Sequence, residues 1–316
     1  MNLQGKQIAL TGATGFLGRY IVDVLLGRGA HVIAVVRNPE RVPEFAYRGV
    51  EIRRADLTTR ESLTKGFSGA DAVVSNAALF AVRRMLAVRR RNWEDHQRTN
   101  VDGTRNVFEA MAAAGVRRVV HVSSVAVYAG RFRRPITEDQ PQLTEQTRRH
   151  PWNTYHRSKA LSEQLAWRLA RERGLELTTV RPGAIYGAFD RNFMRVFKGL
   201  LAPPVTLFPM RLRLPLVYAG DVAEAITLAL ERPVSIGKAY NITGEDREVS
   251  EFVQAWRDAG GRTARLVIPV PIPYRQSFDH SRAQIDLGWR NRSYADGLRE
   301  TLALESHGAQ RSNAGG

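Results

Sequence analysis

The feature that constrains this chain most is the run Thr11-Gly12-Ala13-Thr14-Gly15-Phe16-Leu17-Gly18, set between two short patterned segments. Residues 6–10, Lys6-Gln7-Ile8-Ala9-Leu10, read as the first core strand, and residues 18–26 carry Tyr20, Ile21, Val24 and Leu25 at helical spacing. That helix is expected to stop at Gly27-Arg28-Gly29, where glycine accepts a left-handed cap. In such a turn Gly12 permits the sharp bend, Gly15 lets the backbone approach a pyrophosphate, and Gly18 lets the helix pack close to the strand. The helix N-terminus adds free N–H groups and a positive dipole end. The spacing therefore predicts a dinucleotide-binding turn at the start of a βαβ unit.

The same alternation continues downstream. Residues 31–36, 50–53 and 71–75 read as strands, with a helical stretch at 60–67. A helix over 101–114 leads into 118–122, whose near-continuous apolar run suits a strand buried on both faces. A helix over 155–174 then precedes a strand over 175–180. This is the pattern of an α/β, doubly wound parallel sheet of Rossmann type. Past Arg181-Pro182-Gly183 the regularity weakens, and 201–215 is rich in Pro and Leu without a clear period. Helix returns at 221–230, strand at 239–243, and helices at 250–258 and 294–304.

Composition excludes several alternatives. With no cysteine there is neither a disulfide frame nor a thiolate metal site, and the seven histidines lack a two-His ligand spacing, so no metal is expected. The apolar runs fall short of the ~18–20 residues of a membrane span. With the first core strand already at 6–10, a cytoplasmic protein without a leader and without a membrane partner is expected. The net charge of +16 comes mostly from arginines spread along the whole chain, since only five of the 47 basic residues are lysine. No binding motif accompanies them, so no nucleic-acid partner is expected.

Cofactor type is read at the end of the second strand, where a carboxylate would hold a ribose 2′-hydroxyl. Here the sequence is Val35-Val36-Arg37-Asn38-Pro39, and Arg37 in place of an acid argues for NADP(H) over NAD(H). Further on, Tyr155-His156-Arg157-Ser158-Lys159 opens a helix and sets Tyr155 and Lys159 one turn apart on one face. An ammonium held there is expected to lower the phenol's pKa from about 10, making Tyr155 a proton donor or acceptor. Ser123-Ser124 ends a buried strand at the sheet edge where ligands of open α/β sheets bind, and Ser124 is the better placed to hold a substrate oxygen. Bland readings compete with each: Arg37 as one more surface arginine, Tyr155/Lys159 as a solvated pair, Ser124 as a strand-end hydroxyl bonded to local backbone.

Taken together, these motifs resemble the extended short-chain dehydrogenase/reductase family, also called the NAD(P)-dependent epimerase/dehydratase family. The likeness runs from about Gln7 to Leu304. It includes the glycine turn, Asp56-Leu57, Asn76-Ala77-Ala78, Asn100-Val101-Asp102-Gly103-Thr104, Ser123-Ser124, Tyr155/Lys159, Arg181 through Gly187, Asp221 through Ile226 and Leu287-Gly288-Trp289. The resemblance implies that Asp56 and Leu57 lie by the adenine, that Asn76, Ala77 and Ala78 line the cofactor, and that Lys159 also holds the nicotinamide ribose. It further implies cofactor contacts from Thr14, Phe16, Leu17, Val122, Pro182, Ala184 and Ile185, a substrate contact from Tyr186, and a supporting catalytic role for Asn100. In a plainer reading Asn100 and Asp56 merely cap helices. The family pattern places an NADP-binding domain at 1–182 and 216–245, a smaller substrate lobe at 183–215 and 246–308, and a disordered tail at 309–316. A homodimer is compatible with it.

Two reactions share this machinery. In one, hydride passes between the nicotinamide and a ketone, aldehyde or alcohol carbon while Tyr155 moves the proton. In the other, tightly held cofactor transiently oxidises a nucleotide sugar, giving an epimer or a dehydrated sugar. Sugar-nucleotide members often carry an asparagine shortly after the arginine that ends the sixth strand. This chain has Pro182-Gly183 instead, which favours the reductase. Arg83, Arg84, Arg89, Arg90 and Arg91 follow Asn76-Ala77-Ala78, where they either grip an anionic substrate or form a solvated face. A third reading, from another class, is a catalytically silent NADP-binding regulator, against which the retained Tyr155 and Lys159 argue.

Overall fold

A computed structural model of the chain describes residues 1–80, 91–129, 135–146, 154–272 and 276–313. Its strands are β1 (Gln7–Thr11), β2 (His31–Val36), β3 (Glu51–Arg54), β4 (Ala72–Ser75), β5 (Arg118–Val122), β6 (Glu176–Pro182), β7 (Ala184–Tyr186), β8 (Val205–Phe208), β9 (Leu216–Tyr218), β10 (Ala239–Ile242) and β11 (Leu266–Pro269). Seven of them form one sheet in the order β10-β6-β5-β4-β1-β2-β3, with every neighbouring pair parallel. The chain winds outward from β1 to β3, then crosses back to β4 on the other side of β1. The carboxyl ends of β1 and β4 therefore flank a topological switch point, where an open α/β sheet forms its ligand crevice.

Helices cover both faces. On one side lie α1 (Phe16–Gly27) and α8 (Ala219–Glu231); on the other lie α3 (Arg60–Phe67), α5 (Gly103–Ala113) and α6 (Thr154–Arg173). The period-2 pleat explains how one strand serves both layers: Ile8 and Leu10 join the first core, and Ala9 between them joins the second. Every residue of β4 and β5 is buried, as the apolar run at 118–122 predicts. The remaining helices are α2 (Pro43–Tyr47), α4 (Arg91–His96), α7 (Phe193–Leu201), α9 (Val249–Asp258), α10 (Ser281–Leu287) and α11 (Tyr294–Asn313). Among the described residues no helix is long and apolar enough to cross a membrane.

The structure departs from the sequence reading mainly after Gly183. The aperiodic stretch 201–215 contains β8, which pairs with β11, while β7 pairs with β9, each as a two-stranded parallel sheet. Strands of three or four residues flanked by proline are too short to set up a readable period. The tail expected to lack order is partly helical instead, since α11 runs through Asn313. Ala309, Gln310 and Arg311 favour helix and no proline interrupts them. A π-helical turn, Gln97–Asp102, joins α4 to α5 where the reading has α5 beginning at 101.

Candidate active site

The glycine turn is built as its spacing requires. Gly12 has φ +71°, and a Cβ there would lie 2.9 Å from the Ala77 Cα. A Cβ on Gly18 would lie within 2.1 Å of the Gly12 carbonyl oxygen, so α1 can pack this close to β1 only without a side chain. Thr11 Oγ1 accepts from the backbone N–H groups of Asn76 (3.1 Å) and Ala77 (3.2 Å), and Asn76 Nδ2 donates to the Gly12 carbonyl at 3.3 Å. These bonds lock the turn to the segment after β4. Thr14 and Gly15 are exposed, and no side chain caps the N-terminus of α1. Its free N–H groups fit a pyrophosphate. Phe16 and Leu17 pack with their side chains toward the core, which leaves their backbone as the part able to meet a ligand.

Arg37 stands exposed at the end of β2. Asp56, at the end of β3, accepts from the backbone N–H and hydroxyl of Thr58, both at 2.8 Å. The Thr58 N–H bond, and beyond it Arg37 and Arg98, hold the Asp56 carboxyl below the usual range. Arg37 and Asp56 thus sit close enough to interact. Leu57 packs against Gly103 of α5, and its carbonyl accepts from Asn106 Nδ2 at 2.7 Å.

The segment 77–80 runs from the glycine turn to the catalytic set, where Phe80 meets the Tyr155 ring edge-on at 4.8 Å. Tyr155 lies in the first turn of α6, half-buried, with Ser124 near enough to its hydroxyl to favour the ionised form. Ser124 follows β5 and also accepts from the Ala126 N–H at 3.2 Å. Lys159, one turn after Tyr155, is buried and donates from Nζ to the Val122 carbonyl at 2.8 Å. Burial brings its ammonium down to about 8, with Glu163 opposing the shift. Burial also pushes the Tyr155 phenol up to about 12, with the nearby Ser124 acting against it. The expectation that Lys159 lowers this pKa is therefore not met: its ammonium is bonded to a carbonyl and desolvation dominates the phenol.

Asn100 is buried in the π-helical turn. Its Oδ1 accepts from Leu79 N–H at 2.7 Å and its Nδ2 donates to Ser158 Oγ at 2.9 Å. It ties the wall of the crevice to the start of α6, a positioning task. A second correction concerns Tyr186, expected to contact substrate. It is 1% exposed in β7, ringed by Tyr218, Phe252 and Tyr294, because these aromatic side chains join the same core that α1 and α8 form against the sheet. Ala184 and Ile185, on the same strand, are half-buried, and Pro182 ends β6. Arg83, Arg84, Arg89 and Arg90, and the side chain of Arg91, lie outside the described residues.

Beneath the catalytic set is a polar network that the sequence reading did not foresee. Glu163 and Arg181 are 0% and 3% exposed and paired at 2.6 Å. Arg181 Nη1 donates to the Tyr128 hydroxyl (2.8 Å) and the Glu138 carbonyl (2.9 Å), and Tyr128 donates to Asn241 Oδ1 at 2.6 Å. One signal for it was available: Tyr155, Lys159 and Glu163 repeat every four residues on one face of α6.

With this geometry in hand, the comparisons with known proteins are specific. The model of the NAD dependent epimerase/dehydratase family matches residues 8–243. The chain belongs to that family. Among its relatives, a 4-hydroxy-2-methyl-3-oxo-4-farnesyl-3,4-dihydroquinoline-1-oxide ketoreductase of Stigmatella aurantiaca is 34% identical, over 89% of this chain and 80% of the relative. Cinnamoyl-CoA reductase 1 of Petunia hybrida is 32% identical, over 75% and 72%. Among solved structures, MoeE5 in complex with UDP-glucose and NAD superposes with a TM-score of 0.73 at 27% identity, covering 97% of this chain and 99% of that one. The yeast methylglyoxal/isovaleraldehyde reductase Gre2 complexed with NADPH shares the fold, with a TM-score of 0.80 at 19% identity over 96% and 99%. This member of the epimerase/dehydratase family is thus an oxidoreductase or epimerase of the extended short-chain dehydrogenase kind, built to bind NAD(P).

Proposed function

We propose that this protein is an NADP(H)-dependent reductase that converts a ketone or aldehyde into an alcohol, with Tyr155 as the general acid. The observation that carries the reading is the grouping of Ser124, Tyr155 and Lys159 at the carboxyl end of β5, with Lys159 buried and donating to the Val122 carbonyl. The bound dinucleotide would supply hydride to the carbonyl carbon. Ser124 holds the carbonyl oxygen and orients it, and Tyr155 delivers its hydroxyl proton to that oxygen as the C–H bond forms, leaving a phenolate that Ser124 stabilises until it is reprotonated from solvent. A phenol whose pKa is raised to about 12 by burial is fully protonated at neutral pH, which suits an acid and hence the reductive direction.

Gly12, Gly15 and the uncapped start of α1 would hold the pyrophosphate, Lys159 the nicotinamide ribose, and Arg37 the 2′-phosphate of NADP. The relatives from Stigmatella and Petunia are both reductases, which supports net reduction. The likeness to MoeE5 keeps an epimerase-type reaction on a nucleotide sugar as the second reading. To separate them, NADPH and NADH are titrated into the protein by fluorescence, and a panel of aryl ketones, aldehydes and UDP-sugars is supplied with each. The reductase reading predicts tighter NADPH binding and its stoichiometric oxidation with a carbonyl compound. Turnover of a UDP-sugar without net change in NADPH would overturn it.

A further inference from the structure

Glu163 lies two turns beyond Tyr155 and one beyond Lys159 on α6, and it is wholly buried. Its Oε1 accepts from Arg181 Nη2 at 2.6 Å and Nε at 3.0 Å, and its Oε2 from Arg181 Nε at 3.1 Å and Ser123 Oγ at 2.5 Å. Gln142 Nε2 (3.2 Å), Trp167 Nε1 (3.3 Å) and Thr179 Oγ1 (3.4 Å) complete its shell. One carboxylate therefore bonds to β6, to the residue after β5, to the loop after Tyr128 and to its own helix.

The residues it grips have telling neighbours. Ser123 sits between Val122, whose carbonyl receives Lys159 Nζ, and Ser124, which lies by the Tyr155 hydroxyl. Arg181 immediately precedes Pro182, the last residue of β6. Fixing Ser123 and Arg181 against α6 thus sets the distance between the strand ends and the two catalytic side chains that α6 presents. We propose that Glu163 is a positioning residue for the reaction, holding Ser124, Tyr155 and Lys159 in register through Ser123 and Arg181 and keeping Lys159 charged in its buried site.

The electrostatic half of the claim follows from what faces Lys159. From α6 comes Glu163, itself paired with Arg181 of β6, and from β5 comes His121. Burial pushes His121 down to about 3, with Lys159 adding to the shift, so His121 is neutral and sets no like charge beside the ammonium. Burial works against the charge of Glu163 too, but Arg181 and Ser123 outweigh it and hold the carboxyl below the usual range. A permanent anion one turn from Lys159 is then what opposes the ammonium's desolvation. A buried pair is no more stabilising than apolar residues of the same volume, so stability alone does not account for it.

The inference rests on the reductase reading for its meaning, so the test has an arm that needs no turnover. The chain has five lysines, few enough for each side-chain nitrogen to be resolved by NMR, with Lys159 assigned by its loss in Lys159→Met. In Glu163→Gln, which keeps the hydrogen-bonding shape and removes the charge, the Lys159 midpoint is expected to fall by about one pH unit, a tenfold change in its acidity. On an accepted carbonyl substrate, kcat should fall at least tenfold and its alkaline limb move down with Lys159, while the NADPH dissociation constant stays within threefold. Ser123→Ala keeps the ion pair and should lower kcat severalfold without moving the limb. An unmoved Lys159 midpoint in folded Glu163→Gln overturns the inference, as does Ser123→Ala with wild-type kcat if Glu163→Gln fails to fold. A wild-type protein that turns over no carbonyl substrate sinks the reductase reading instead and leaves the Lys159 titration to decide the positioning claim.

Discussion

Around Tyr155 the charges of Lys159, Glu163 and Arg181 are all buried and hydrogen-bonded to named partners, whereas Arg37 after β2 stands in solvent and Asp56 after β3 is only half-buried. The contrast follows from position in the sheet. β5 and β6 are interior strands covered on both faces, while β2 lies one strand from the open edge and β3 is that edge. A buried charge is held in one geometry by everything around it and is costly to orphan; an exposed one interacts through water and is cheap to exchange. The first end is therefore suited to precise chemistry, and the second to choosing between two cofactors by a single side chain.

The comparison can be broken most severely at Tyr155. Tyr155→Phe should lower kcat by ~10²–10⁴-fold, the usual worth of a general acid, with NADPH affinity unchanged in a fluorescence titration. Next comes Arg181→Met, which leaves Glu163 buried without its partner and should destabilise the fold by about 3–5 kcal/mol in chemical denaturation. The double variant Glu163→Leu/Arg181→Met should recover most of that loss, since both charges are gone. At the solvated end, Arg37→Ser should weaken NADPH binding by about 1.5–3 kcal/mol, the value of a hydrogen bond to a charged group, and leave NADH binding and unfolding unaltered. Gly18→Ala, whose Cβ would collide with the Gly12 carbonyl, should cost about 1–3 kcal/mol of stability as α1 shifts away.

Lys159 gives the smallest effect and a sign that sharpens the contrast. Its pKa is lowered from 10.5 to about 8 by burial, so between those values the unfolded chain binds a proton that the folded chain has lost. Its contribution to stability therefore rises with pH across that window, while kcat for reduction falls as the ammonium disappears. Lys159→Met should abolish the stability slope, read as the difference between the two proteins' urea midpoints from pH 8 upward.

What the sequence made legible is what is local in it. The turn Gly12 to Gly18 and the pair Tyr155/Lys159 are each defined within a few residues, and the strand-end position of Ser124 follows from the apolar run before it. The partners of Glu163 are not local: Ser123, Arg181 and Gln142 reach it only after the sheet has placed β5 beside β6. Tyr186 misled for the same reason, because a tyrosine after Arg181-Pro182-Gly183 looks available until Phe252 and Tyr294 fold over it from the far end of the chain. The short strands after Gly183 were hidden by length, and the raised pKa of Tyr155 by the fact that burial outweighs a charge one turn away.

The central claim is that Tyr155 gives a proton to an oxygen whose carbon receives hydride, and single-turnover reaction with NADPH deuterated at the transferable position tests it most directly. The account predicts one deuterium on the carbinol carbon of the product alcohol, formed in step with NADPH oxidation and lost in Tyr155→Phe. Deuterium retained on the nicotinamide while a UDP-sugar is converted to its epimer would contradict it.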